Sequence, residues 1–161
     1  MSFYESLGFL VFGSRLRRLS ETFLADINEV YKAHHLTFDA SWFPVFYILS
    51  RKQTVSIRDI SDELGVSHSA VSQLISSLQQ KGLIKSTADA SDARKKVVAF
   101  TAKGARLQEK IAPIWDALDT AMQDLTASGK HSKTILKAIA EIETALAEKS
   151  IFNRVEQKLS H

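Results

Sequence analysis

The stretch from Thr54 to Thr101, TVSIRDISDELGVSHSAVSQLISSLQQKGLIKSTADASDARKKVVAFT, limits the fold more than any other part of the chain. Ile57, Ile60 and Leu64 recur at three- and four-residue spacing, which predicts a helix. Ser56, followed three positions later by Asp59, supplies a capping box to start it, and Gly65 stops it. Ser67 is placed to cap a second helix, in which Val71, Leu74, Ile75 and Leu78 fall at i, i+3, i+4 and i+7. After Gly82 the runs LIKST (Leu83–Thr87) and KVVAF (Lys96–Phe100) read as strands, with ADASDARK as the loop between them.

The apolar stripe of the second helix leaves an opposite face of Ser69, Gln73, Ser76 and Gln80, with Ser72 beside it. These side chains are short, uncharged and rich in hydrogen-bonding groups, whereas a merely solvated face is usually charged. Two helices joined by a tight Gly-containing turn, the second with such a face, match the helix-turn-helix that reads a major groove. Small residues such as Ser67 and Ser69 at the helix start let the backbone come close to a duplex, where free N–H groups can hold a phosphate. The hairpin loop carries Asp92, Arg94, Lys95 and Lys96, so it forms a wing with a cationic end.

This stretch resembles the winged helix-turn-helix of the MarR family of bacterial transcription regulators. The resemblance is carried by SIRDISDELGVSHSAVSQLISSLQQKGLI, by the wing motif Asp92-Ala93-Arg94, and by Thr101-Ala102-Lys103-Gly104 opening the next helix. It implies a mainly α fold with a small β-hairpin wing and N- and C-terminal dimerisation helices. Residues 1–161 would then form a single MarR-like domain, with an N-terminal dimerisation helix over 1–37, a DNA-binding lobe over 38–101 and C-terminal dimerisation helices over 102–161.

Charge supports a nucleic-acid partner through its distribution. Between Arg51 and Lys110 there are eleven Lys and Arg against six Asp and Glu, while the rest of the chain has ten against twelve. The positive charge therefore sits with the helix-turn-helix, facing a line of phosphates. A chain of 161 residues, 45% hydrophobic and 24% charged, has an ordinary globular composition. The absence of cysteine excludes disulfides and thiolate metal sites. There is no Gly-rich phosphate loop, nucleophile elbow or His-Glu-x-x-His, so neither an enzyme nor a metal or cofactor is expected. The short apolar run from Leu7 to Phe12 is neither a secretory signal nor a span of about 20 apolar residues, which points to a cytoplasmic protein with no membrane partner.

The flanks read as amphipathic helices. Phe12, Leu16, Leu19, Phe23, Ile27 and Val30 predict one long helix from Ser2 to about Ala33, on which Arg15, Arg17 and Arg18 form a solvated or ion-paired face, with DNA contact as the alternative. His34 and His35 end it as a C-terminal cap, and adjacent histidines point too far apart on a helix to share a metal. Asp39 or Ser41 caps the next helix, with Pro44 tolerated in its first turn. After the wing, Thr101 caps a helix running toward Leu125 that Pro113 should kink or divide. A last helix starts near His131 and carries Ile135, Ile139, Ile142 and Leu146, then Phe152, Val155 and Leu159 toward the end. Three such helices present more apolar surface than a small head can cover, so a homodimer is expected, with an intramolecular bundle as the alternative.

The aromatic run around Trp42, Phe46 and Tyr47 reads first as packing beneath the reading head. The family resemblance offers a second account, a crevice for a small aromatic ligand, which Phe12, Tyr31, Trp42, Phe46 and Tyr47 would line. For the duplex, Gln73 is the first choice for reading bases, since its amide pairs in parallel with adenine. Ser69, Ser72 and Ser76 serve bases or phosphates, and His68 a phosphate. Lys85, Lys95, Lys96 and Arg58 meet phosphates. Arg94 resembles the family arginine that enters the minor groove, with Asp92 bracing it. The resemblance adds repression to this reading, so the function expected is that of a homodimeric repressor of a palindromic double-stranded DNA operator, with release by a small aromatic effector as a further implication of the resemblance. The alternative is a winged helix used for protein or RNA interaction.

Overall fold

The computed structural model describes residues 3–89 and 96–160. By its internal packing the chain divides into two compact units, Met1–Ala112 and Pro113–His161.

In the first unit, α1 (Phe3–Ser6) and a 3-10 turn (Gly8–Val11) precede α2 (Phe12–Ala33). The single helix expected from Ser2 is thus broken, because Gly8 takes a left-handed backbone with φ of +54°. Two arginines of α2 are partnered as a surface face should be: Arg17 Nε lies 2.8 Å from Glu21 Oε1, and the Arg18 guanidinium sits 4.3 Å from the centre of the Tyr4 ring. The helix ends at His34, and His35 follows with φ of 55°. Asp39 then accepts from the Ser41 N–H at 2.8 Å and caps the turn Ala40–Trp42, which runs into α3 (Phe43–Arg51) with Pro44 in its first turn.

The two central helices are set by their caps. Ser56 accepts from the Asp59 N–H at 3.0 Å to open α4 (Ile57–Leu64), which closes on Gly65. Ser67 accepts from the Ala70 N–H at 3.2 Å to open α5 (His68–Gln80). Strands β2 (Ile84–Ala88) and β3 (Lys96–Phe100) pair antiparallel with Ile84 opposite Phe100 and Ser86 opposite Val98. A strand that sequence periodicity does not reveal, β1 (Val55–Ser56), pairs with the other edge of β3, giving the order β1-β3-β2. It is only two residues long, too short to show any alternation.

The core of this unit is apolar and continuous. Ile60, Val71, Ile75 and Leu78 from the two helices are buried, as are Leu83, Ile84, Val97 and Val98 from the hairpin and Val45, Phe46, Ile48 and Leu49 from α3. Thr101 opens α6 (Ala102–Ala127): its Oγ1 accepts from the Gly104 N–H at 3.0 Å and donates to the Gly82 carbonyl at 2.7 Å. Pro113 lies inside α6 without dividing it into two elements.

In the second unit, the expected last helix is two: α7 (Ile135–Glu148) and α8 (Ile151–Leu159). Ser150 starts α8 by accepting from the Asn153 N–H at 3.2 Å, and Arg154 donates to the carbonyls of Ala145 and Lys149 at the end of α7. These local bonds favour a turn where the apolar spacing alone suggested continuity. No helix among the described residues is long and apolar enough to cross a membrane.

Candidate nucleic-acid interface

Helix α5 is anchored on one side and bare on the other. Val71, Ile75 and Leu78 are at most 2% exposed. On the opposite side Ser69, Gln73, Ser76 and Gln80 are all exposed, and they follow one another at four, three and four residues along a single face. These polar side chains are therefore presented by a helix whose rotation is fixed by its own core stripe. Ser67 and His68 are exposed at its start. Ser72 is half-buried, with its Oγ 3.4 Å from His68 Nδ1, so its hydroxyl is engaged within the helix's first turns as well as at its surface.

The surrounding cations are equally accessible. Lys85 on β2 and Lys96 at the start of β3 are exposed, and Arg58 on α4 is exposed with its Nε 3.8 Å from Asp62 Oδ2, a surface pairing of small energy. Asp92, Arg94 and Lys95 fall outside the described residues. A contact that sequence reading missed joins helix to wing: Gln79 Nε2 donates to Ser86 Oγ at 2.8 Å. Nothing local marks that pair, because it needs the hairpin folded back against α5.

The five aromatic residues expected around a ligand crevice are not gathered in that way. Tyr31 and Phe46 are 1% and 0% exposed and pack by edge contacts around Phe38, which also meets Trp42. Phe46 further contacts Phe100 at 4.8 Å between ring centres. A ring packed on all sides has no face left for a ligand. Tyr47 is exposed beside Phe43, and Phe12 faces a separate surface hollow with Phe9 near the N-terminus. Phe38 stands at the centre of this cluster, its ring centre 4.9 Å from Tyr31, 5.6 Å from Trp42 and 4.9 Å from Phe46.

Among the described residues no group of acids and histidines could hold a metal ion. A hydrogen-bonding helix mounted on an apolar stripe, preceded by a capped helix and followed by an antiparallel wing, defines a winged helix-turn-helix protein. Residues 36–95 match the model of the MarR family, which agrees with the sequence resemblance over that segment. The fold of the chain is that of MarR-family transcription regulators. MepR of S. aureus in complex with DNA aligns over 84% of this chain and 97% of its own, at 20% identity and a TM-score of 0.68. A mutant MarR from E. coli complexed with operator DNA aligns over 92% and 98%, at 18% identity and a TM-score of 0.62. BpsR of Bordetella bronchiseptica, whose DNA binding is regulated by 6-hydroxynicotinic acid, aligns over 83% and 91%, at 20% identity and a TM-score of 0.62. Among curated proteins none matches the sequence.

Proposed function

We propose that the chain is a cytoplasmic, sequence-specific DNA-binding regulator that acts as a homodimer and represses transcription from a palindromic operator. The observation that carries this reading is the bare face of α5, where Ser69, Gln73, Ser76 and Gln80 stand exposed opposite a buried stripe. Gln73 reads a base, Ser69, Ser72 and Ser76 meet bases or phosphates, and Ser67 and His68 bring the helix start to a phosphate. Arg58, Lys85, Lys95 and Lys96 meet the backbone, while Arg94, braced by Asp92, enters the minor groove.

Dimerisation is supported by apolar side chains that the single chain leaves open at both ends. Phe9 and Leu10 are about nine-tenths exposed near the N-terminus, and Leu136, Phe152 and Leu159 at least seven-tenths exposed near the C-terminus. Isolated surface of this kind is costly in water and is ordinarily covered by a partner. Release by a small ligand belongs to the same reading, and the regulation of BpsR by 6-hydroxynicotinic acid supports it.

The test is selection of bound sequences from a random duplex library. An imperfect inverted repeat with half-sites about one helical turn apart is the expected outcome. A pool that stays random after repeated rounds would refute the reading.

A further inference from the structure

Beside the C-terminal end of α5 the first unit contains a cavity of about 330 Å³ whose rim is formed by Lys81, Lys103, Arg106 and Lys110 and whose apolar lining includes Leu36 and Leu83. We propose that this cavity is a binding site for a small organic anion of the phosphate-monoester class, with a doubly charged head and a short apolar body.

Three observations carry the proposal. The lining contains no Asp or Glu, and among the described residues none of the four cations lies within ion-pair distance of a carboxylate. Four positive groups around one hollow repel one another, and a dianion between them converts that repulsion into attraction. Lys103 is also held in place, its Nζ donating to the Lys81 carbonyl at 2.8 Å. An ammonium fixed on the exposed end of a helix loses less freedom on binding than a swinging one. Finally, the floor is apolar, with Leu83 2% exposed, so the site suits a ligand that has a body as well as a charge. Its volume lies at the lower end of small-molecule sites.

The site spans two helices of the first unit. Lys81 directly follows α5, whereas Lys103, Arg106 and Lys110 belong to the first turns of α6. A ligand bridging them adds to the contacts that already hold the end of α5 against α6, and in this it gives the regulator an effector site separate from the aromatic cluster around Phe38. That consequence for DNA rests on the proposed function, while the binding itself does not.

Phenyl phosphate is the probe, titrated into the full chain without DNA and followed by the backbone amide signals of Leu83, Lys103 and Arg106. Saturable shifts at these positions are expected, with inorganic phosphate and phenol each binding more weakly because each lacks one half of the ligand. Arg106→Gln combined with Lys110→Gln should weaken phenyl phosphate at least about tenfold, as loss of charged hydrogen bonds implies. The control Lys137→Gln on α7 should leave binding unchanged. Shifts scattered over the basic surface without saturation, or equal binding by the double variant, would overturn the site. If phenyl phosphate fails to bind but the double variant loses duplex affinity with a smaller salt slope, the four cations serve the DNA backbone and the proposal is wrong. Because the titration contains no DNA, a failed operator selection would leave its result standing.

Discussion

A β-carbon built on Gly104 would lie 1.9 Å from the carbonyl oxygen of Leu83. The first turn of α6 is therefore pressed against the backbone that connects α5 to the wing, at the point where Thr101 also donates to the Gly82 carbonyl. Gly104→Ala cannot be accommodated by turning a side chain, since the obstructing atom is backbone. Overpacking of this kind should lower stability by about 2–3 kcal/mol, read as a reduced urea midpoint at constant slope.

Capping and reading can be separated on α5. Ser67→Ala removes the acceptor for the Ala70 N–H and should cost about 1 kcal/mol of stability. Gln73→Ala, on the exposed face, should leave stability within about 0.5 kcal/mol of the parent. It should nevertheless lose about 1–3 kcal/mol of discrimination at one base position of a selected site. Equal losses on every duplex would show that Gln73 does not read bases.

Lys85 and Lys96 provide a different signature. Substituting either with Gln should weaken all duplexes alike and reduce the slope of log affinity against log salt by about one unit per lost phosphate contact. An unchanged slope would remove that lysine from the interface.

Phe46 tests the aromatic cluster. It is fully buried against Phe38 and Phe100, so Phe46→Ala should cost about 3–5 kcal/mol in thermal or urea unfolding. A loss below 1 kcal/mol would mean that the ring borders open space after all.

For the dimer, Leu136→Glu places a charge on a side chain that is 78% exposed in the single chain. Sedimentation should show the parent as a dimer at micromolar concentration and the variant shifted to monomer with its helix content unchanged. A parent that sediments only as monomer would exclude the proposed assembly.

The sequence made the reading head legible because its signals are local. Ser56, Gly65 and Ser67 act within a turn of their own positions, and the stripe of Val71, Ile75 and Leu78 fixes a face by spacing alone. Where the outcome depended on a competing local choice, the spacing misled: Gly8 and Ser150 break stretches that the sequence presents as single helices. The aromatic residues are a different case. Composition reveals that Tyr31, Trp42 and Phe46 avoid water, but only the placement of Phe38 decides whether the space between them is open or filled. The cationic cavity draws Lys81 together with Lys103 and Arg106 across the whole hairpin, and no linear spacing announces such a meeting.

The hydrogen bond from Gln79 to Ser86 has a further meaning for recognition. It clasps the end of α5 to β2, the strand that leads toward the wing loop. Under the proposed function, an operator would be judged by the interval between its major-groove letters and its adjoining minor groove as strictly as by the letters themselves. Inserting a single base pair between those two features should then disable a site whose every contacted base is correct.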